Sequence, residues 1–151
     1  MPSAAYILSS LIVILAGASV ALQQVLNANL RTQLDSPWWA GTVSYVVGLA
    51  AMVAVAVLMP GPRIEQALSN GNFSWPSWTG GLFGAIFVGT GILMVPRLGA
   101  ATTLALIVVG QMLGSLAVDH FGLLGLPQQP ATLIRMTGAV CLIAGVVLIR
   151  A

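Results

Sequence analysis

A chain of 151 residues that is 58% hydrophobic and only 5% charged, with a formal net charge of +2, is not a water-soluble domain, because such domains carry roughly 25% charged residues. Its basic groups are single, scattered arginines (Arg31, Arg63, Arg97, Arg135, Arg150), so the basic footprint of a nucleic-acid binder is missing. The composition predicts an all-α membrane protein solvated by lipid, with residues 1–151 forming one domain.

The first apolar stretch covers approximately residues 4–29. Ala16-Gly17-Ala18 imitates a signal-peptide cleavage site, but the positively charged segment expected before it is absent, and the stretch reads as a membrane helix. It carries polar residues at four-residue spacing, Ser19, Gln23, Asn27 and Arg31, with Gln24 and Asn29 beside them. Residues four apart share a helix face, and amides in lipid need partners, so this stripe faces either a neighbouring helix or a water-filled cavity. Asp35-Ser36-Pro37 closes a hairpin into the second stretch, 39–59, which Trp38-Trp39 marks at an interface and Pro60-Gly61-Pro62 ends.

The polar connector from Arg63 to Ser77 reads as a short surface helix or a loop, with Trp75 and Trp78 at the next interface. The third stretch, 78–95, shows a small-residue face including Gly80, Gly81 and Gly84, which suits close helix packing. Pro96-Arg97-Leu98-Gly99 then separates it from the fourth, 101–118. A single long kinked helix is the alternative, but it would hold Arg97 in the hydrocarbon at a cost of roughly 2.5–3.5 kcal/mol.

The fourth stretch repeats the four-residue spacing with Thr103, Gln111, Ser115 and Asp119, interrupted by Ile107, and Gly110 and Gly114 form a GxxxG pair for close helix approach. Gln111, near mid-span, is expected to line a cavity, with Ser115 on the same face. Asp119-His120 ends this span; the pair is either a hydrated helix end or a gating or proton-linked element. No second histidine or cysteine stands near His120, so neither a metal site nor a cofactor is expected. Residues 127–130 lead into the fifth stretch, 133–149, where the lone Cys141 excludes an intrachain disulfide and reads as packing. No nucleophile elbow, P-loop or zinc-protease motif is present, so enzymatic activity is not expected.

Five spans put the termini on opposite sides. Arg63 and Arg135 then lie on the side of the N-terminus and Arg31, Arg97 and Arg150 on the other, too small a bias for the positive-inside rule to choose an orientation. Either something weak fixes the orientation, or the chain inserts both ways and pairs antiparallel with itself, rebuilding the inverted halves common among transporters.

The segment from Val95-Pro96-Arg97 through Gly110-Gln111 to Asp119-His120-Phe121-Gly122, together with Gln23, Asn27 and Leu30 in the first span and Trp78-x-Gly80-Gly81, resembles the YdcZ-type branch of the drug/metabolite transporter superfamily over nearly the whole chain. The resemblance implies a five-helix unit equivalent to half of an inverted-repeat, ten-helix transporter in a bacterial inner membrane, related to small multidrug resistance proteins that work as antiparallel dimers. Those relatives carry a glutamate in the first helix where this chain has Gln23, Gln24 and Asn27, so the resemblance implies a neutral or zwitterionic substrate, or a coupling scheme without that carboxylate. The expected function is transport of a small molecule by a homodimer, with Gln23, Asn27, Gln111 and Ser115 at the cavity and lipid and a second copy as partners. A passive dual-topology channel and an accessory membrane subunit are the alternatives.

Overall fold

The computed structural model describes residues 4–61, 64–69, 75–123 and 126–150. Among them the secondary structure is helical throughout: α1 (Ala4–Leu34), α2 (Pro37–Leu58), the short α3 (Ile64–Ser69), a 3-10 turn (Trp75–Thr79), α4 (Gly80–Leu98), α5 (Ala100–Phe121) and α6 (Leu133–Arg150). Four segments are long and apolar enough to cross a membrane, Ala4–Leu34, Pro37–Leu58, Trp75–Leu98 and Ala100–Phe121, and Leu133–Ile149 is a shorter apolar helix. At 1.5 Å per residue the last extends about 26 Å, slightly less than a hydrocarbon core of roughly 30 Å. The connector expected between Arg63 and Ser77 contains α3 and most of the 3-10 turn; Arg63 itself lies outside the described residues.

The hairpin between α1 and α2 needs only Asp35 and Ser36. Asp35 takes the left-handed conformation (φ 47°), which aspartate tolerates better than most residues, and the Ser36 N–H returns to the Arg31 carbonyl at 3.2 Å. This is the six-to-one bond of a Schellman ending, with aspartate in the place glycine usually holds. Ser36 then caps α2: its hydroxyl accepts from the Trp39 N–H at 3.3 Å, and Pro37 occupies the first helical position, where no donor is lost. Ser36→Ala is expected to lower stability by about 1 kcal/mol, readable as a shift in the SDS-unfolding midpoint in mixed micelles.

α4 continues through Pro96 to Leu98, so the break between the third and fourth spans is Gly99 alone rather than the whole Pro96–Gly99 stretch. Gly99 stands at φ 81°, ψ 156°, a region essentially restricted to glycine. Its carbonyl starts α5, accepting from the Thr103 N–H at 3.1 Å and from the Thr103 hydroxyl at 2.8 Å. The Thr103 hydroxyl is thereby spent on backbone, and the residue is buried.

The chain divides into two compact units, residues 1–93 and 94–151. In the first, α1 packs along α2, and Ala40 of α2 joins Val88 and Ile92 of α4 in a small core flanked by Leu30 and Phe87. In the second, α5 packs along α6. Buried apolar residues among those described are few (Ala40, Val88, Ile92, Ala139), while large apolar side chains such as Ile14, Leu49, Phe83, Ile134 and Leu148 are exposed along the helices. An aqueous protein would hide these side chains; here they meet lipid.

Candidate functional site

The polar stripe of α1 divides between two neighbours. Gln24 and Arg31 turn to α4, and Asn27, three and four residues from them, lies buried between that face and the groove toward α2. Gln24 is fully buried and Asn27 is 5% exposed, and the Gln24 carboxamide sits in the space that a side chain at position 91 would fill. Gly91 is what admits it. Neither polar atom of the Gln24 side chain has a hydrogen-bond partner, nor does Asn27 Nδ2.

One turn further along, Arg31 Nη1 donates to the Ile92 carbonyl at 3.1 Å. Within a helix that carbonyl would accept from residue 96, but Pro96 has no N–H. The guanidinium therefore supplies the donor that the proline removes. This is how α4 runs past Pro96 without a stranded buried carbonyl.

Gln23 points away from this face, toward α2. It borders a groove of about 580 Å³ between α1 and α2, lined on the α1 side by Ser19, Gln23, Asn27, Asn29 and Gln33 and on the α2 side by Ser44 and Gly48. A neighbouring groove of about 390 Å³ shares Gln23, Ser44 and Gly48 and extends to Tyr45, Gly84 and Phe87. Charged side chains are absent from the lining of both grooves among the described residues. Ser19 spends its hydroxyl on the Ala16 carbonyl at 2.7 Å, whereas Gln23, Asn29, Gln33 and Ser44 make no side-chain hydrogen bond within the described residues. A third groove, between α2 and α4, is apolar, with Trp38, Val46, Leu49 and Val88 in its wall, and suits a lipid chain.

Gln23 and Asn27 thus border one groove, whereas sequence spacing does not single out Gln24, the most deeply buried amide among the described residues. A helical period of 3.6 lets Gln24 share a face with Asn27 and Arg31 as readily as Gln23 does. Gln111 and Ser115 stand exposed on α5, in the second unit. Of the glycines expected to pack, Gly84 faces the Tyr45 hydroxyl, and a Cβ at Gly80, Gly81, Gly110 or Gly114 would meet open space.

Asp119 and His120 belong to a clasp at the end of α5. Asp119 pairs with Arg135 of α6 at 3.1 Å, and Arg135 also donates to the Gln129 side chain at 2.9 Å. The Asp119 carbonyl accepts from the Gln129 N–H at 2.8 Å. His120 Nδ1 accepts from the Ala131 N–H at 3.2 Å, which assigns the proton of the neutral ring to Nε2. The pair is thus tied to the connection between α5 and α6, a set of partners that the sequence reading did not identify. Cys141 is exposed and borders a small groove along α6 with Gly138 and Gly145. Groups of acids, histidines or cysteines able to hold a metal are absent among the described residues.

The family described as "Putative inner membrane exporter, YdcZ" matches residues 8–148. The chain belongs to this family. The Inner membrane protein YdcZ of Escherichia coli (strain K12) is 28% identical over 132 residues, covering 87% of each chain. No solved structure matches. With its apolar helices, membership of the YdcZ family makes this chain a multi-pass integral protein of the inner membrane. The family is one of membrane transporters rather than enzymes.

Proposed function

We propose that the protein carries a small molecule across the inner membrane as a homodimer of two oppositely inserted copies, with the groove between α1 and α2 on the substrate path and α6 completing five crossings. The observation that carries this reading is the set of unspent amides and hydroxyls on that groove: Gln23, Asn29, Gln33 and Ser44 belong to helices of membrane-spanning length and apolarity. Hydrocarbon offers them no hydrogen bond, so they require cover by protein, water or solute. The exposed Gln111 and Ser115 of α5 have the same need, and a second copy meets both needs while bringing Gln111 and Ser115 to the cavity. The open space beside Gly80, Gly81, Gly110 and Gly114 suits close approach of its helices. Asp119 and His120 would act on gating only through the clasp with Arg135 and Ala131.

Insertion in both orientations is supported by the near balance of arginines between the two sides. Single cysteines at Ser3 and at Ala151, in a Cys141→Ala background, should each be labelled in part by a membrane-impermeant thiol reagent applied from one side of native membranes. Complete labelling at one terminus and none at the other establishes a fixed orientation and removes the antiparallel dimer. Complete labelling at both establishes an even number of crossings.

A further inference from the structure

We infer that the groove between α1 and α2 selects an uncharged, hydrogen-bonding solute over its cationic and anionic counterparts. The inference rests on reading this groove as the substrate path and adds the chemical class of what moves through it.

Three observations converge. The polar wall consists of carboxamides and hydroxyls, Gln23, Asn27, Asn29, Gln33 and Ser44, without a charged side chain among the described lining residues. The nearest arginine in sequence, Arg31, is committed to the Ile92 carbonyl. The Gln23 and Ser44 side chains border the groove and make no hydrogen bond within the described residues, whereas Asn27, 5% exposed, contributes from beneath the surface with a buried, unpartnered Nδ2.

A carboxamide offers both a donor and an acceptor, so this wall matches solutes that also present both. It provides no countercharge. Placing a lone charge at mid-membrane depth carries a penalty on the order of a hundredfold in partitioning, and amide dipoles offset only part of it. An uncharged solute is exempt from that penalty and gains from each amide. Leu22, Leu26, Val43 and Val47 complete the wall, leaving room for an apolar body behind the polar head.

Two shape-matched sets test this: benzamide, benzoate and benzamidine, and the smaller acetamide, acetate and acetamidine. Within each set the planar head keeps its shape while its charge changes from zero to negative to positive at neutral pH. Full-length protein in liposomes is preloaded with each unlabelled compound, and uptake of the same compound in labelled form is followed above the protein-free leak. Such exchange needs no coupling ion.

The expected result is saturable exchange of an amide about tenfold or more faster than of its charged partners. Gln23→Leu and Ser44→Ala should each slow it by a few-fold to about tenfold, the value of a neutral hydrogen bond. Both residues lie on the groove surface rather than in the small core, and retention of helical circular dichroism establishes that the variants fold. Faster exchange of a charged member, lost in the same variants, overturns the uncharged class and leaves transport through the groove standing. Amide exchange indifferent to both substitutions overturns the assignment to this groove. Exchange of none of the six by folded protein counts against the transport reading, and the inference falls with it.

Discussion

Replacing Arg31 by methionine is expected to destabilise the protein by about 2 kcal/mol, a cost that should shrink by about 1–2 kcal/mol when Pro96 is replaced by alanine. The bond from Arg31 Nη1 to the Ile92 carbonyl is 3.1 Å long, and Ile92 is fully buried. Methionine keeps most of the aliphatic stem and loses the donor, so the carbonyl left open by Pro96 has nothing to accept. Alanine at position 96 restores an N–H one helical turn beyond it and makes the guanidinium redundant. A double-mutant cycle, read as SDS-unfolding midpoints in mixed micelles, measures this coupling directly. Equal costs of Arg31→Met in the two backgrounds would show that the arginine acts by charge or packing and has no link to the proline.

Gln24→Met should do the opposite and raise stability by about 1–3 kcal/mol, because it removes buried polar atoms that lack partners while nearly conserving volume. Few substitutions of a fully buried residue stabilise a protein, and the sign is therefore informative. Gly91→Ala supplies a complementary measurement. Its Cβ would overlap the Gln24 carboxamide, and the expected loss of about 1–3 kcal/mol should largely vanish in a Gln24→Ala background. If Gln24→Met lowers stability instead, the amide has a partner in the membrane, a water or a solute, whose loss outweighs the relief. Stabilisation would identify Gln24 as an amide kept at a cost to stability, as functional sites commonly are.

The spans were legible because punctuation and apolarity coincide. Asp35-Ser36-Pro37 makes the hairpin that its composition suggests, and Gly99 breaks the chain where proline and glycine cluster. Pro96 shows where local rules stop. It reads as a helix terminator, yet α4 continues, because the missing donor comes from Arg31, which lies 61 residues before the Ile92 carbonyl that it serves; no short-range pattern encodes that contact. The polar residues of α1 were legible as a stripe but not as two faces. Gln23 and Gln24 are adjacent amides of equal polarity, and only the placement of α2 and α4 around α1 sends one to an open groove and the other into a dry contact with glycine. The partners of Asp119 and His120 were likewise hidden, since the connection after α5 folds back to reach them.

The two-residue hairpin has a consequence for the bilayer. It pins the ends of α1 and α2 to one depth, yet α1 has 31 residues and α2 has 22, so the far end of α1 overshoots its neighbour by about 13 Å. The overshooting turns, from Ala4 onward, include the apolar Tyr6, Ile7 and Leu8, which favour hydrocarbon or the headgroup boundary over water. Such a mismatch is relieved by tilting the helix or thickening the surrounding lipid. Acyl chain length thus becomes a mechanical variable acting on α1, the helix that carries Gln23, Gln24, Asn27 and Arg31.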